Sequence, residues 1–385
     1  MKYLTDIDKI PNIPEAERAP LRAVAGKYAF RTTSYYLSLI DWDDPDDPIR
    51  RIVIPDAAEL DDWGALDASD EAANTPARGL QHKYPHTVLL LCNEVCGAYC
   101  RYCFRKRLFM SDNDEVSIDV QPGLDYIAAR PEVTNVLLTG GDPLLMSTGR
   151  ITRIIEGLRA IPHVKIIRLG SKMPAFLPSR LADDEQLLAL FKRYSTMDSR
   201  IYLMAHFDHP RELTPEALRG LQRGLDAGLS IVNQCPVIKG VNDSAEVLAE
   251  LFRRLAYAGV PPYYLFQGRP TAGNRAFETT IVHSFRVFEE AKRHVSGLGK
   301  RARLVMSHAT GKVEIVGIDR QHIYLRYHRA KDPADEGRFI VCHRDDRACW
   351  LDDLQPVDGL GGLPPSEADI SPVSWSGAPE FLPEG

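Results

Sequence analysis

Short apolar runs recur along the middle of the chain, and each is followed by a polar or glycine-rich segment. Six of these runs predict buried β-strands because they are rich in aliphatic and β-branched residues. They cover residues 87–92, 135–139, 166–170, 201–207, 230–236 and 263–267. Amphipathic helical patterns lie between them, including 185–194, 215–227 and 245–258. This alternation is typical of parallel β/α units, so we predict an α/β fold with chemistry at the carboxyl ends of the strands.

The pattern changes towards both ends of the chain. The N-terminal part predicts a helical and irregular extension, with helical apolar spacing over 21–36. The C-terminal part predicts strands at 313–318 and 322–327, and a Gly- and Pro-rich tail that forms a poorly packed arm or an interface strap. The predicted boundaries are 1–80, 81–300, 301–355 and 356–385.

Composition excludes several classes of protein. The net charge of −6 and the absence of a basic stripe argue against a nucleic-acid partner. No apolar run approaches the roughly 20 residues of a membrane span, and residues 1–8 do not resemble a secretory signal. Seven cysteines, an odd number, indicate a reducing compartment, so we expect a cytoplasmic protein.

Three cysteines follow the first predicted strand in the spacing C-x3-C-x2-C, at Cys96, Cys100 and Cys103. Three thiolates on one loop can bind three irons of a [4Fe–4S] cluster and leave the fourth iron free for a small chelating molecule. This spacing is the signature of radical S-adenosylmethionine (SAM) enzymes. Structural zinc is the alternative, but it usually needs two cysteine pairs, and the other cysteines are scattered.

Polar residues follow the later strands. The glycines of the segment 140–142 allow a ligand to approach the backbone, and Asp142 can accept hydrogen bonds from an ammonium group, although an ordinary turn has the same composition. Lys172 follows the third strand, and His206 is expected to form hydrogen bonds with a ligand rather than to bind metal. Arg105 either offsets the charge of the cluster or pairs with a substrate carboxylate, and the two roles are compatible.

Taken together, these segments resemble the lysine 2,3-aminomutase family of radical SAM enzymes. The resemblance covers roughly residues 27–320. It rests on 35–41, 44–50, Tyr84-Pro85, the cysteine loop, Gly140-Gly141-Asp142, Leu177-Pro178, 206–210, Asn233-Gln234, 240–243 and 263–267.

The resemblance implies a partial (β/α)6 radical SAM barrel with the two extensions described above. It implies reductive cleavage of SAM to a 5′-deoxyadenosyl radical, with electrons from a reductant such as flavodoxin or ferredoxin. It also implies a homo-oligomer that acts on a small amino-acid-like substrate. The expected SAM-binding residues are Gly140, Gly141, Asp142, His206, Asn233 and Gln234, and the expected substrate-binding residues are Arg105, Lys172 and Arg269; no catalytic residue is assigned.

The chain departs from the family where pyridoxal phosphate (PLP) binds. Members of the family hold PLP through a lysine that closes a glycine run near the C-terminus, and this run is missing after Gly311-Lys312. The arginines that flank the tyrosine-proline pair in the family are replaced by Lys83 and Thr87. We therefore do not expect PLP, and neither Lys312 nor Lys331 is predicted to bind it.

A second departure concerns the substrate. Lysine-specific members have an aspartate after the glutamine of the sixth strand, whereas this chain has Arg269. Two like charges about 4 Å apart repel by about 4 kcal/mol at an effective dielectric constant near 20. We therefore expect a carboxylate-bearing substrate and a rearrangement, epimerisation or related radical reaction. The open alternatives are a PLP-dependent 2,3-aminomutase acting on a glutamate-like substrate or lysine, and a non-catalytic iron–sulfur or zinc protein.

Overall fold

The computed structural model describes residues 2–110 and 113–364. The α-helices α1 to α11 span Glu15–Lys27, Ser34–Leu37, Pro48–Val53, Gln121–Ala128, Thr148–Arg159, Met173–Phe176, Ser179–Ala182, Glu185–Tyr194, Pro215–Asp226, Ala245–Tyr257 and Ile281–Arg293. The strands β1 to β14 span Tyr3–Leu4, Thr32–Thr33, Leu80–Tyr84, Thr87–Asn93, Asn135–Gly140, Ile166–Ser171, Arg200–Ala205, Ser230–Pro236, Pro262–Phe266, Arg303–His308, Gly311–Ile318, His322–Ala330, Phe339–His343 and Pro356–Gly362. Short 3-10 turns lie at Ile7–Lys9, Ala57–Leu60, Ala72–Asn74, Lys106–Phe109, Pro143–Leu145, Pro210–Glu212, Arg275–Phe277, Pro333–Asp335 and Leu351–Asp353.

A large sheet contains every strand from β3 to β14 in chain order. Strands β4 to β10 are parallel to one another, and the pairings of β3 with β4 and of β10 through β14 are antiparallel. The molecule is therefore a mixed α/β protein with a sheet rich in parallel strands. The six predicted strands are confirmed to within two residues at each end.

The connecting helices form because polar caps precede amphipathic segments. A side chain at each N-cap accepts a hydrogen bond from a backbone N–H of the first turn, which satisfies one of the unpaired donors there. These capping residues are Ser147, Asp184, Thr214, Ser244 and Thr280. The apolar faces of the helices pack on the sheet in one continuous core.

The two ends of the sheet approach each other. The guanidinium of Arg329 on β12 donates to the Thr87 hydroxyl of β4 at 3.3 Å and lies 4.4 Å from the ring centroid of Tyr84 on β3. Lys83 on β3 donates to the carbonyl of His308 on β10. The C-terminal hairpin β11–β12 therefore lies beside the residues that begin the sheet.

The helical pattern predicted over 21–36 was wrong in its extent. The helix ends at Lys27, because the chain turns extended at Tyr28 and then forms β2, which pairs with β1. The Gly- and Pro-rich tail begins with the largely exposed strand β14, which pairs with β13, and its role as a poorly packed arm or an interface strap stays a prediction. Residues 365–385 of that predicted tail lie outside the described residues. No helix among the described residues is long and apolar enough to cross a lipid bilayer.

Candidate active site

A cavity of about 380 Å³ lies at the carboxyl ends of the parallel strands. The loops after β4 to β9 and the hairpin β11–β12 contribute its lining. This volume is within the range of sites that bind small molecules.

The thiols of Cys96, Cys100 and Cys103 all line this cavity. Burial raises the pKa of each thiol, and the charges of the neighbouring cysteines add to the effect for Cys96 and Cys100. Within residues 2–110 and 113–364, no three His, Cys, Asp or Glu side chains are arranged to hold a single metal ion. Three thiols on one cavity wall are a donor set that fits three irons of a [4Fe–4S] cluster.

The loops after β4 and β5 are joined by backbone hydrogen bonds. The N–H of Gly141 donates to the Asn93 carbonyl at 2.6 Å, and the N–H of Asp142 donates to the Val95 carbonyl at 3.0 Å. A Cβ added to Gly141 would lie 2.6 Å from the Val95 nitrogen, and Gly140 has a φ of 99°. Both glycines are therefore required by the fold. They also line the cavity, and their predicted contact with SAM stays a prediction.

The carboxylate of Asp142 accepts four hydrogen bonds within the protein. The donors are the Ser171 hydroxyl at 2.7 Å and the backbone N–H groups of Leu144, Lys172 and Met173 at 2.9, 2.8 and 3.1 Å. Burial raises the pKa of Asp142 to about 6, although these donors oppose the shift. Asp142 thus fixes the ends of β5 and β6 to each other, and its predicted contact with SAM is untested.

Lys172 is held by two buried carboxylates. Its ammonium lies 2.6 Å from Asp208 Oδ2 and 2.7 Å from Glu212 Oε1. The other oxygen of Asp208 lies 2.8 Å from His206 Nε2, and the hydroxyl of Tyr102 donates to Asp208. Lys172 and His206 both line the cavity, but they are bound within this network, and their predicted contacts with substrate and SAM stay predictions.

The neighbouring residues Asn233 and Gln234 have different surroundings. Asn233 is 1% exposed, accepts from the Phe207 N–H at 2.8 Å and donates to the Phe207 carbonyl at 3.1 Å. Gln234 lines the cavity. The side chain of Asn233 is therefore engaged with the backbone of Phe207. The predicted contacts of Asn233 and Gln234 with SAM are untested.

The bidentate edge of Arg105 is occupied by Glu71. Arg105 Nε and Nη2 donate to the Glu71 carboxylate at 3.1 and 2.9 Å, and further bonds go to Gln81 and Thr139 at 3.1 and 3.0 Å. Four of the five N–H donors of a guanidinium are thereby engaged. The predicted pairing of Arg105 with a substrate carboxylate stays a prediction, and a carboxylate of the protein already lies at that edge.

Glu71 also joins Arg105 to two other arginines. Its carboxylate lies 2.7 Å from Arg107 Nη2 and 3.8 Å from Arg269 Nη1. Burial by itself would raise the pKa of Glu71, but the three guanidinium groups overcome this effect and hold the pKa far below its usual value. Glu71 is therefore a charged centre around which the three arginines are arranged.

Arg269 lies over the ring of Phe104, with the guanidinium carbon 3.7 Å from the ring centroid. Among the described residues, its only carboxylate neighbour within 4 Å is Glu71, at 3.8 Å, and no hydrogen bond forms from its side chain. Burial lowers the pKa of Arg269 to about 10. Arg269 lines the cavity with its side-chain donors free, and its predicted contact with substrate stays a prediction.

Four further cations line the same cavity: Lys83, Arg168, Lys312 and Arg329. We call these four residues with Arg269 the cationic side of the cavity, and the three cysteines with Asp142 and His206 the cysteine side. Within the part of the chain that the structure describes, none of the four forms a salt bridge with a carboxylate. Any positive charge on these four side chains is therefore not paired with a carboxylate of the described structure.

Lys312 has the most perturbed environment of this group. Its amine lies 4.3 Å from the ring centroid of Tyr264, and β11–β12 pairing places it opposite Arg329. Burial lowers the pKa of Lys312 well below its usual value, and Arg269 and Arg168 add to the shift. Burial also lowers the pKa of Lys83, to about 8.

The sequence analysis missed several residues that line the cavity. Arg168 and Arg329 could have been found, because each is a charged residue within an otherwise strand-like pattern. Glu71 and Glu278 lie in irregular segments without a recognisable motif, and only the folded chain brings them to the cavity.

Comparison with known proteins gives several long matches, although no family model matches the chain. A protein of Aquifex aeolicus named "Putative L-lysine 2,3-aminomutase" is 53% identical over 354 residues, which cover 92% of this chain and 95% of the relative. The L-lysine 2,3-aminomutase of Clostridium subterminale is 40% identical over 69% of this chain and 63% of its own length. The glutamate 2,3-aminomutase of Clostridioides difficile is 31% identical over 77% of this chain and 70% of its own length.

The first of these matches extends beyond the predicted core into both terminal regions. Its identity and coverage confirm the resemblance drawn from the motifs, and the names of the relatives are those of isomerases. The chain therefore belongs to the lysine 2,3-aminomutase family of radical SAM enzymes.

Proposed function

We propose that this enzyme acts on an amino acid with a carboxylate on its side chain, and that Arg269 binds that carboxylate. The observation that carries the proposal is the environment of Arg269, a largely buried guanidinium (side chain 15% exposed) that lines the cavity with its donors free. A buried cation without a full partner is costly, and a ligand carboxylate would remove that cost.

The cysteine side supports radical chemistry. When bound, a [4Fe–4S] cluster with SAM would supply a 5′-deoxyadenosyl radical that can remove a hydrogen atom from the substrate. Cys96, Cys100 and Cys103 would hold the cluster, and a flavodoxin or ferredoxin is the proposed electron donor. The parallel strands and the contact between the two ends of the sheet support a partial (β/α)6 barrel around this site.

The residues around Arg269 keep its guanidinium in place. The guanidinium of Arg269 packs over the ring of Phe104. Glu71 Oε1 lies 3.8 Å from Arg269 Nη1, which is too far for a hydrogen bond. Glu71 instead engages the bidentate edge of Arg105. The arrangement leaves Arg269, rather than Arg105, as the arginine with donors available to a substrate.

Substrate preference tests this proposal. The enzyme is reconstituted anaerobically with iron, sulfide and SAM, reduced with dithionite, and supplied with L-glutamate or L-lysine, and the products are identified by mass spectrometry. We expect turnover of L-glutamate to exceed that of L-lysine, because an ammonium about 4 Å from Arg269 would be repelled by about 4 kcal/mol. Faster turnover of L-lysine would contradict the proposal.

A second candidate function, a PLP-dependent 2,3-amino shift, is favoured by the environment of Lys312. Burial and the neighbouring cations favour the neutral amine of Lys312, which is the form that can join a carbonyl group. Arg168, Arg329 and Lys83 line the same cavity and could hold a phosphate. The residues present therefore fit PLP, in contrast to the expectation from the missing glycine run.

When bound, PLP would supply a carbonyl for the amine and a conjugated ring over which an unpaired electron can spread. Lys312 would hold it covalently before substrate arrives, and the cationic side would hold its phosphate. The same cavity would then take two anionic groups, the phosphate and the substrate carboxylate on Arg269.

Borohydride trapping tests this second candidate. The protein is incubated with PLP, reduced with borohydride and digested, and the masses of the peptides are measured by mass spectrometry. We expect a phosphopyridoxyl adduct on Lys312 that disappears in Lys312→Met and persists in Lys331→Met, because Lys331 is exposed. An adduct on Lys331 alone, or none, would contradict this candidate and leave only reactions that need no PLP.

A further inference from the structure

Glu278 places an unpartnered carboxyl group in the cavity. It follows the 3-10 turn Arg275–Phe277 in the loop between β9 and α11, and it lines the cavity with Gly268 and Arg269. Its Oε2 atom is enclosed and has no hydrogen-bond partner. Within the described residues, Glu278 forms no salt bridge, although seven lysine and arginine residues line the same cavity.

The carboxyl group of Glu278 packs against Gly268. A Cβ added to Gly268 would lie 2.7 Å from Glu278 Oε1 and 2.8 Å from its Cδ, and would also collide with Oε2. The φ of Gly268 is not in the left-handed region, so the backbone itself does not require glycine there. A side chain at position 268 would therefore push the Glu278 carboxyl group out of its present place, so the position of that group depends on the glycine.

The two glutamates of the cavity have opposite environments. Glu71 is surrounded by three guanidinium groups and is ionised. Glu278 forms no ion pair with a cation among the described residues, and burial raises its pKa well above the usual value, which favours the protonated form. A buried polar group without a partner costs about 1–3 kcal/mol, and a ligand atom that pairs with it would remove that cost.

Building on the proposed carboxylate substrate, we propose that Glu278 is a specificity-determining residue that donates a hydrogen bond to an acceptor oxygen of the substrate. A neutral acid in the same cavity as Arg269 would favour a substrate with a carboxylate or carboxamide side chain. A side chain that ends in an ammonium would offer no acceptor and would add to the positive charge of the cationic side. Glu278 and Arg269, on either side of Gly268, would together select the substrate.

Three variants test this role by direct binding to the anaerobically reconstituted holoenzyme. Isothermal titration with L-glutamate should give affinities within about threefold for the parent and Glu278→Gln, because the amide keeps a neutral donor. Glu278→Leu and Gly268→Ala should each weaken binding about tenfold, which corresponds to about 1.4 kcal/mol. Gly297→Ala is the matched control, because nothing lies within 4 Å of its added Cβ, and it should bind as the parent does. Equal weakening in Glu278→Gln and Glu278→Leu would overturn the proposal.

A second measurement is independent of the identity of the substrate. Infrared difference spectra of the parent minus Glu278→Gln, recorded at neutral pH without amino acid, should contain the carbonyl band of a protonated carboxyl group. Absence of that band would show an ionised Glu278 and would overturn the proposal. If Arg269→Met binds L-glutamate as the parent does, the proposed function fails, whereas the infrared result still decides the state of Glu278.

Discussion

The cysteine side and the cationic side of the cavity differ in how their charges are satisfied. On the cysteine side, Asp142 accepts four hydrogen bonds from the protein, and Asp208 and Glu212 share Lys172. On the cationic side, four of the five cations have no carboxylate partner among the described residues, and Arg269 has one only at 3.8 Å.

The difference shows which part of the site is completed by the chain and which by a ligand. The network behind the cysteines is closed, so it can position the thiols in the same way whether or not cofactors are present. Among the described residues, the cationic side has few carboxylates to pair with its basic side chains, which is why we propose that anionic groups of the ligands bind there. Within the described structure, Glu71 is the only carboxylate near that side that forms ion pairs, and its partners are three arginines.

Loss of a cysteine should have the largest effect. Cys100→Ala should abolish the formation of 5′-deoxyadenosine, because two thiols cannot hold three irons of the cluster. The fold should be retained, as measured by circular dichroism. Cys349→Ser is the control, since Cys349 does not line the cavity, and it should keep the parent rate. SAM cleavage at the parent rate in Cys100→Ala would contradict the prediction that the three cysteines hold the cluster.

Glu71→Gln should destabilise the fold by about 3 kcal/mol, because it leaves buried guanidinium groups without their carboxylate. The folded-state pKa of Glu71 is lowered, so its stabilising contribution is present above the unfolded value near 4.3 and is lost as the pH falls towards the folded value. Denaturant unfolding at a series of pH values should therefore show a smaller acid-induced loss below about pH 4 in the variant. An identical acid dependence in both proteins would show that Glu71 is not ionised against its arginines.

Arg269→Met should weaken binding of L-glutamate to the holoenzyme by about 10- to 100-fold, since hydrogen bonds to charged groups contribute about 1.5–3 kcal/mol. Calorimetric titration measures this loss. Arg286→Met, on the exposed face of α11, is the control and should bind as the parent does. Unchanged affinity in Arg269→Met would contradict the assignment of Arg269 and would indicate that the substrate carboxylate binds another residue of the cationic side.

Lys83→Gln should have the smallest effect, because three other cations remain beside it. Pyridoxine 5′-phosphate, which has no carbonyl group, is a suitable probe of phosphate binding. The affinity of the parent should fall as the pH rises through about 8, where Lys83 loses its proton, and the variant should show a smaller change. The comparison is made by fluorescence titration at pH 7 and 9, and the same pH dependence in both proteins would exclude Lys83 from the phosphate site.

The sequence predicted local features well and long-range pairings poorly. The strand patterns and the cysteine spacing are encoded by neighbouring residues, and the strands and the family were confirmed. The pairing of Arg105 with Glu71 joins residues 34 positions apart in the chain, and no local pattern indicates it. The environment of Lys312 depends on Arg168 and Arg329 from other strands, so the residues that surround it could not be predicted from the local sequence, and the expectation about PLP stays a prediction.

The register of the hairpin β11–β12 links the ligand site to the outer part of the sheet. Lys312 and Arg329 are direct cross-strand neighbours, so a proton on Lys312 would make them a like-charge pair that weakens the hairpin unless an anion lies beside them. The pairing shifts at the bulge between Lys312 and Val313, and a slip of one residue would turn both side chains to the opposite face. We therefore expect an anionic ligand to slow amide hydrogen exchange along β12 and also along its neighbour β13, so that occupancy of the cavity could be read from a strand that does not line it.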